Sequence, residues 1–230
     1  MSKKIYVSPS SQNANIYATG GTNEKEQCQK IAKYCVAYLK KAGFNVKCTY
    51  NDNMYERVKE SNAFGADIHL TIHTNATVKH NVTGGTQILL HNLKGERKKI
   101  GQAVLDSLKD ITPGKSAEKL IAKPEFYEIR KTNCITVFCE CEFHDTKQGS
   151  DFIIKNTKKL GEAIAKGICN YYGVKVEVEK NEKENNAPTK AGTLYVVQTG
   201  AFSEKKNAEA HLTALKKAGF EGFVTTKKIS

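Results

Sequence analysis

The sequence predicts an α/β fold with a mostly parallel central sheet flanked by helices, followed by a small C-terminal βαβ module. Three observations carry that expectation. Short apolar β runs alternate with helical segments along most of the chain, the pattern of parallel βαβ units. One run, Ile135 to Cys139, is almost continuously apolar, as a strand covered on both faces requires. The chain has 230 residues, room for one domain of about 100–200 residues and a smaller companion.

The first strand is Lys4-Ile5-Tyr6-Val7, ended by Ser8-Pro9-Ser10-Ser11. A polar loop rich in Gly and Asn leads to a helix capped by Thr22 or Asn23, with Glu24 and Glu26 suited to its positive first turn. Ile31, Cys35 and Leu39 recur at four-residue spacing, Ala32 and Val36 widen that face, and Gly43 followed by Phe44 ends the helix. A strand is expected from Val46 to Tyr50, a helix from Arg57 to Ala63, and strands at Ile68 to Ile72 and Gln87 to Leu90. Ile100 to Leu108 reads as a helix, and Phe152 to Tyr172 as one long amphipathic helix. Residues 1–176 therefore form the main domain. The stretch 177–192 is charged, polar and poor in large apolar residues, which makes it a linker. Residues 193–230 form the small module, with a strand at Leu194 to Val197, a helix at Lys206 to Lys217 ended by Gly219, and a strand opening at Phe223-Val224. Leu-Lys-Lys-Ala-Gly-Phe occurs at 39–44 and again at 215–220, the same helix-stop chemistry used twice.

Composition narrows the class. With 39% hydrophobic residues the chain can pack a core, and 17 Gly and 4 Pro are far too few for collagen. No stretch approaches the ~18 apolar residues of a membrane span, so no membrane insertion is expected. The net charge of +12 points to an anionic partner. The charge is diffuse, without a run of five basic residues, so nucleic acid is not the expected one. The seven Cys form no Cys-x-x-Cys pair, which argues against a zinc ribbon and for synthesis in a reducing compartment.

Three places could carry chemistry. His73 ends an apolar strand and is followed by Thr74-Asn75-Ala76, where ligands collect in parallel sheets. It reads as a metal ligand or as a satisfied buried histidine. His69, deeper on the same strand face, reads as a hydrogen-bonded core histidine. Glu140 follows an apolar strand directly, a costly position for a carboxylate unless it is paired or working. Glu142 shares its face by period two, and Glu142, His144 and Asp145 otherwise read as an ordinary polar loop. Glu24, in the first turn of its helix, is alone no more than a dipole-favoured surface carboxylate.

Taken in order, these blocks resemble the zinc-dependent N-acetylmuramoyl-L-alanine amidases of bacterial peptidoglycan over about residues 3–173. Glu24-Lys25-Glu26 with Ile31-Ala32 looks like the family's Glu-Lys-Asp helix start, whose Glu binds zinc. Ala66 to Ala76 is similar to its strand ending in Ser-x-His-x-Asn-Ala, whose His binds zinc, and Gly84-Gly85-Thr86 to the glycine turn after it. Val137-Phe138-Cys139-Glu140-Cys141-Glu142-Phe143 is similar to the Leu-Val-Glu-x-Gly-Phe segment with the catalytic Glu. The resemblance thus implies Glu24 and His73 as ligands of one Zn2+ ion and Glu140 as the catalytic residue. It implies a hydrolase that cuts the amide between N-acetylmuramic acid and L-alanine, with peptidoglycan as partner. Arg130 is a candidate for oxyanion stabilisation or an ordinary surface residue. The family's first ligand, a His in a Pro-Gly-His-Gly turn, is missing; the turn here is Ser8-Pro9-Ser10-Ser11-Gln12. Gln12 is the nearest donor, a poorer one than imidazole, and Cys28, one helical turn after Glu24, is the other candidate. The missing His leaves weakened zinc binding or, as the alternative function, a non-catalytic peptidoglycan-binding protein with a degenerate metal site; a zinc peptidase acting on stem peptides is a further rival. Leu194 to Ser203 together with Leu215 to Phe220 looks like the opening half of a SPOR domain, a glycan-binding module. The N-terminus has no apolar h-region, so an endolysin- or autolysin-like enzyme is expected, made in the bacterial cytoplasm and acting on the wall after release.

Overall fold

A computed structural model describes residues 2–77, 84–176, 199–217 and 222–226. The chain divides into two compact units, Met1–Glu177 and Val178–Ser230. In the first, the strands are β1 (Lys4–Pro9), β2 (Asn45–Cys48), β3 (Ile68–Asn75), β4 (Gln87–Leu90), β5 (Lys119–Ala122) and β6 (Ile135–Phe143). They form one sheet in the order β2-β1-β3-β6-β4-β5. Neighbours run parallel except β4 and β6, which are antiparallel. The helices are α1 (Glu24–Lys41), α2 (Met54–Phe64), α3 (Gly95–Lys109), α4 (Tyr127–Lys131), α5 (Lys147–Lys155) and α6 (Thr157–Tyr172). The expected α/β architecture with a mostly parallel sheet is the observed one.

The two faces of the sheet differ in chemistry. Because side chains alternate along a strand, Ile5 and Val7 of β1, Ile68, Leu70 and Ile72 of β3, and Val137 and Cys139 of β6 point to one side. There they pack into a large apolar core with Ile31, Cys35 and Leu39 of α1, Val104 and Leu108 of α3, and Leu160, Ile164 and Ile168 of α6. The other face presents Tyr6, Ser8, His69, Thr71 and Thr136, all buried. It is covered by the shorter α2 and α4, with only a small apolar cluster of Leu89, Ile129 and Phe138. The functional groups sit at the upper end of this polar face.

Four local expectations change. The single helix read from Phe152 to Tyr172 is two, α5 and α6, divided at Asn156, whose backbone leaves the helical region. The Asn156 side chain donates to the Phe152 carbonyl (2.8 Å), taking over an acceptor that a continuing helix would use. α5 also starts earlier, at Lys147, because the Thr146 hydroxyl accepts from Gly149 N at 2.9 Å and caps it. β5 and α4 carry weak sequence signals: β5 is a four-residue edge strand that is only half buried, and α4 is little more than one turn. In the second unit a helix, α7 (Lys205–Lys217), is described. Phe223 and Val224, expected to open a strand, are irregular. A strand exists only through its pairing, and the expected partner Leu194–Val197 lies outside the described residues, as do the 177–192 segment and Gly219.

Gly161 of α6 lies against the backbone of α1. A methyl group there would lie 2.4 Å from the Ile31 carbonyl oxygen and 2.8 Å from Cys35 N, both backbone atoms of α1. Alanine is normally the better helix former by about 1 kcal/mol, but overpacking costs about 1–3 kcal/mol. Gly161→Ala should therefore destabilise the protein by about 1–3 kcal/mol in urea titrations; a stabilised variant would show that the two helices can move apart freely.

Candidate active site

The site forms where β1, β3 and β6 end side by side. The parallel register sets His73 directly against Glu140 and Pro9 against Ile72. Ser10 N donates to the Ile72 carbonyl at 2.8 Å, so the chain after β1 stays beside β3 for one residue more. The loop then crosses to α1. Asn23 caps that helix, its side chain accepting from Glu26 N at 3.0 Å. Two further N–H groups of the first turn are met by loop carbonyls, Glu24 N by Asn15 O (2.9 Å) and Lys25 N by Gln12 O (3.2 Å). These bonds, which no sequence motif announces, fasten Gln12 and Asn15 to the helix start that carries Glu24.

Glu24 is 1% exposed, not the surface carboxylate its helix position suggests. Its Oε1 lies 2.8 Å from His73 Nδ1, and its Oε2 accepts from Asn15 Nδ2 at 2.6 Å. The same Asn15 nitrogen donates to Gln12 Oε1 at 2.8 Å, and Gln12 Nε2 lies 3.4 Å from His73 Nδ1. Burial pushes the Glu24 carboxyl up, but the His73 imidazole, Asn15 and Ser10 outweigh it and hold the group below its ordinary value. Burial pushes His73 down, and the carboxylates around it, Glu24 first, bring it above its ordinary value instead. Glu140 has no such support. Burial, with the charge of Glu24 added and that of His73 opposing, pushes its carboxyl up to about 8. Its Oε2 is buried without a hydrogen-bond partner among the described residues.

The fit of a zinc ion can be judged from the donors. A His nitrogen can give its proton to only one acceptor, yet a carboxylate oxygen and an amide both converge on His73 Nδ1. The separations, 2.8 and 3.4 Å, are close to the ~3.3 Å edge of a tetrahedron with bonds of ~2.0–2.1 Å. A half-turn of the Gln12 amide exchanges its nitrogen and oxygen and points the carbonyl at His73, giving up the bond that Oε1 accepts from Asn15. A carboxylate, an imidazole and an amide therefore fit a cation, although among the described residues no three of His, Cys, Asp and Glu converge on one point. Cys28 is a poor substitute: it lies in the apolar core, and burial, with Glu24 next, holds its thiol well above the ordinary value. Arg130 is exposed in the last turn of α4 and makes none of the site's contacts.

The polar tail of β6 is not an ordinary loop. Between the rungs His73–Glu140 and Asn75–Phe143, β6 has one residue more than β3. This bulge breaks the alternation, so period two does not extend from Glu140 to Glu142; Cys141, Glu142 and Phe143 are all buried. Glu142 instead accepts three backbone bonds, from Gly85 N (2.7 Å) and Phe143 N (2.8 Å) to Oε1 and from Gly114 N (3.1 Å) to Oε2. Backbones pack so closely there that a methyl group on Gly114 would lie 2.2 Å from Gly84 C. His144 Nδ1 lies 2.9 Å from the Thr74 hydroxyl and its ring stacks on Tyr17. Asp145 Oδ2 accepts from both Thr77 N and Oγ1 at 2.7 Å. Sequence reading missed Asn15, Glu128 and Arg57 altogether. Glu128 accepts from Ser8 Oγ at 2.8 Å and lies 3.2 Å from His69 Nε2, so His69 is a core histidine partnered at Nε2, its Nδ1 having no hydrogen-bond partner among the described residues.

Glu142→Gln turns one acceptor into a donor facing a backbone N–H. It should cost about 1.5–3 kcal/mol, the range for a bond to a charged group, and speed amide hydrogen exchange at Gly85 and Gly114. Unchanged exchange at both glycines would contradict the clamp.

Comparison with known proteins identifies the family. The family model for N-acetylmuramoyl-L-alanine amidase matches residues 10–170, and that for the SPOR domain matches 177–226, taking in the segment read as a linker. The sporulation-specific N-acetylmuramoyl-L-alanine amidase of Bacillus subtilis (strain 168) is 24% identical over 233 residues, 97% of this chain and 85% of that protein. Among solved structures, the amidase AmiC2 of Nostoc punctiforme superposes with a TM-score of 0.66 at 19% identity, over 74% of this chain and 97% of its own. Cwp6 from Clostridium difficile does so with a TM-score of 0.65 at 23% identity, over 74% of this chain and 29% of its own. At those identities the superpositions show the shared fold; the family match, spanning more than half of the 230 residues, shows the kinship. The chain belongs to the N-acetylmuramoyl-L-alanine amidase family and is a peptidoglycan amidase that also carries a SPOR domain.

Proposed function

We propose that one zinc ion, held by Glu24 and His73 with Gln12 as third protein donor, serves this amidase, and that Glu140 is its general base. The observation that carries the reading is the rung His73–Glu140, with Glu24 Oε1 at 2.8 Å from His73 and an unbonded carboxylate oxygen on Glu140. When bound, zinc polarises the scissile carbonyl and acidifies the attacking water. The chain's own groups do the rest. Glu140, as the carboxylate, takes the proton of the attacking water and returns it to the amine that leaves with the stem alanine. Its Oε2, spending no hydrogen bond on the protein, is free for that proton. Asn15, donating to Glu24 Oε2 at 2.6 Å, holds that carboxylate in place. The rung neighbours His73 and Glu140 fix where the scissile amide must lie. The substrate on this reading is the bond between the muramoyl lactyl group and L-alanine, in the wall to which the SPOR domain binds through glycan strands. Among the described residues no helix is long and apolar enough to cross a membrane. We place the enzyme's action at the cell wall after its release from the cytoplasm.

Glu140→Gln should leave fold and metal content intact and reduce the rate of muropeptide hydrolysis by about 10²–10⁴-fold. Digestion of purified wall at a near-normal rate would remove Glu140 from the mechanism. Gln12→His exchanges a neutral amide for imidazole, the better zinc ligand. Chelator competition on the full chain should show tighter zinc binding in this variant, with activity kept or raised; an unchanged affinity would exclude Gln12 as a donor.

A further inference from the structure

The polar face of the sheet below the active site holds more charge than an ordinary core. His69, Thr71 and His73 alternate with apolar residues along β3 and so point the same way, about 6.6 Å from one to the next. Ser8 of β1 pairs with Thr71 in the ladder, and its hydroxyl donates to Glu128 Oε1 at 2.8 Å. The Glu128 carboxylate, 3% exposed, is thereby placed over the Thr71 rung, with His69 Nε2 on its lower side at 3.2 Å. Further along the same face of β3, Thr71 Oγ1 and His73 Nε2 are buried without a hydrogen-bond partner among the described residues, as is Arg57 Nε. Arg57 itself is anchored, donating to the Pro9 carbonyl at 2.5 Å and to Ser11 Oγ at 3.2 Å. Buried polar atoms are almost always satisfied, by protein or by ordered water. A water among these groups and the carboxylate has the two to four partners that such waters need.

The orphaned atom on His73 is the informative one. Nδ1 faces Glu24 and Gln12, so Nε2 is the nitrogen on the far side of the ring from the proposed metal. A metal-binding histidine donates from its second nitrogen to a carboxylate, carbonyl or water, which fixes tautomer and orientation. The geometry points to Glu128 as the positioning residue of His73: through a bridging water it accepts the hydrogen bond of Nε2–H, which keeps the proton on Nε2 and leaves the lone pair on Nδ1, toward Glu24 and Gln12. An ionised carboxylate is required for this. Burial opposes ionisation, but His69, with Arg57 and His73 behind it, holds the Glu128 carboxyl below its ordinary value. Ser8, Arg57 and Thr71 are then parts of one arrangement rather than separate polar residues in a core.

This proposal rests on His73 as a zinc donor, and its test separates the two ideas. The probes are Zn2+ in chelator competition and, in the metal-free full chain, solvent exchange of the His73 Nε2 proton by NMR. Glu128→Gln keeps the volume and a hydrogen bond to Ser8 but lacks the charge. It should weaken zinc binding ten- to a hundredfold, the usual effect of losing such a partner, and speed proton exchange about tenfold. Glu128→Asp should recover part of the affinity, as a lost packing contact would not. If Glu128→Gln does not fold, Thr71→Val, of nearly the same shape, takes its place and should weaken zinc several-fold. Zinc affinity and proton exchange both unchanged in a folded variant would overturn the proposal. Should the parent chain bind no zinc, the metal reading of the site fails by itself. The exchange rate of the His73 proton then decides about Glu128 alone, with an unchanged rate overturning the proposal.

Discussion

The contact between Glu24 and His73 is the constraint on which the rest of the site depends. It joins the first turn of α1 to the end of β3 across 2.8 Å, with both side chains almost completely removed from solvent. Burying a carboxylate is expensive unless it is paired and hydrogen-bonded. Here the partners are His73 at the end of β3 and Asn15 and Ser10 of the loop after β1. The loop after β1 is therefore not free to wander. Its carbonyls are spent on the N–H groups of the helix start and its amides on Glu24 and Gln12. On the proposed zinc reading, Gln12 offers an amide where the resembling family has an imidazole, a more weakly binding donor.

The sheet divides labour between its faces. One face carries the large core with α1, α3 and α6 and supplies the apolar burial from which stability derives. The other is lined with Tyr6, Ser8, His69 and Thr71 under two short helices. Polar residues in that layer contribute less to stability than apolar ones of equal size. They lie directly below the functional edge and bring the β1 loop, α2 and α4 into register with it through Arg57 and Glu128. At the top of β6 the bulge turns successive residues to different tasks. Glu140 is left facing His73, Cys141 enters the core, and Glu142 gathers the glycine loops at residues 84–86 and 114.

Much of this protein was legible in its sequence. The alternation of strands and amphipathic helices follows from periodicity, because the side-chain period of each element is set by backbone geometry alone. That is why the expected helix at Glu24, the strands at Ile68 and Ile135 and the helix at Ile100 are all present. His73 and Glu140 stood out because each is a polar group beside an apolar strand, whereas Glu24 was singled out only by the ordered resemblance to the amidase family. The elements that went unseen, β5 and α4, are short and half exposed, and their existence depends on a neighbouring strand or sheet rather than on their own periodicity. The division at Asn156 was missed for a similar reason: a side chain bonding back to a carbonyl four residues earlier leaves no trace in the hydrophobic pattern.

The sequence by itself determined the fold class, the order of the elements and the residues that carry unusual chemistry, since these depend on local periodicity and residue type. Only the tertiary structure decided which of those residues meet. The register of β1, β3 and β6 aligned His73 with Glu140, the loop carbonyls brought Gln12 to within 3.4 Å of His73, and a five-residue helix placed Glu128 against Ser8 and His69. Those meetings join groups up to 120 residues apart along the chain. Such contacts are set by strand pairing and by the need to satisfy buried polar groups, and both depend on the whole fold rather than on any local stretch of sequence.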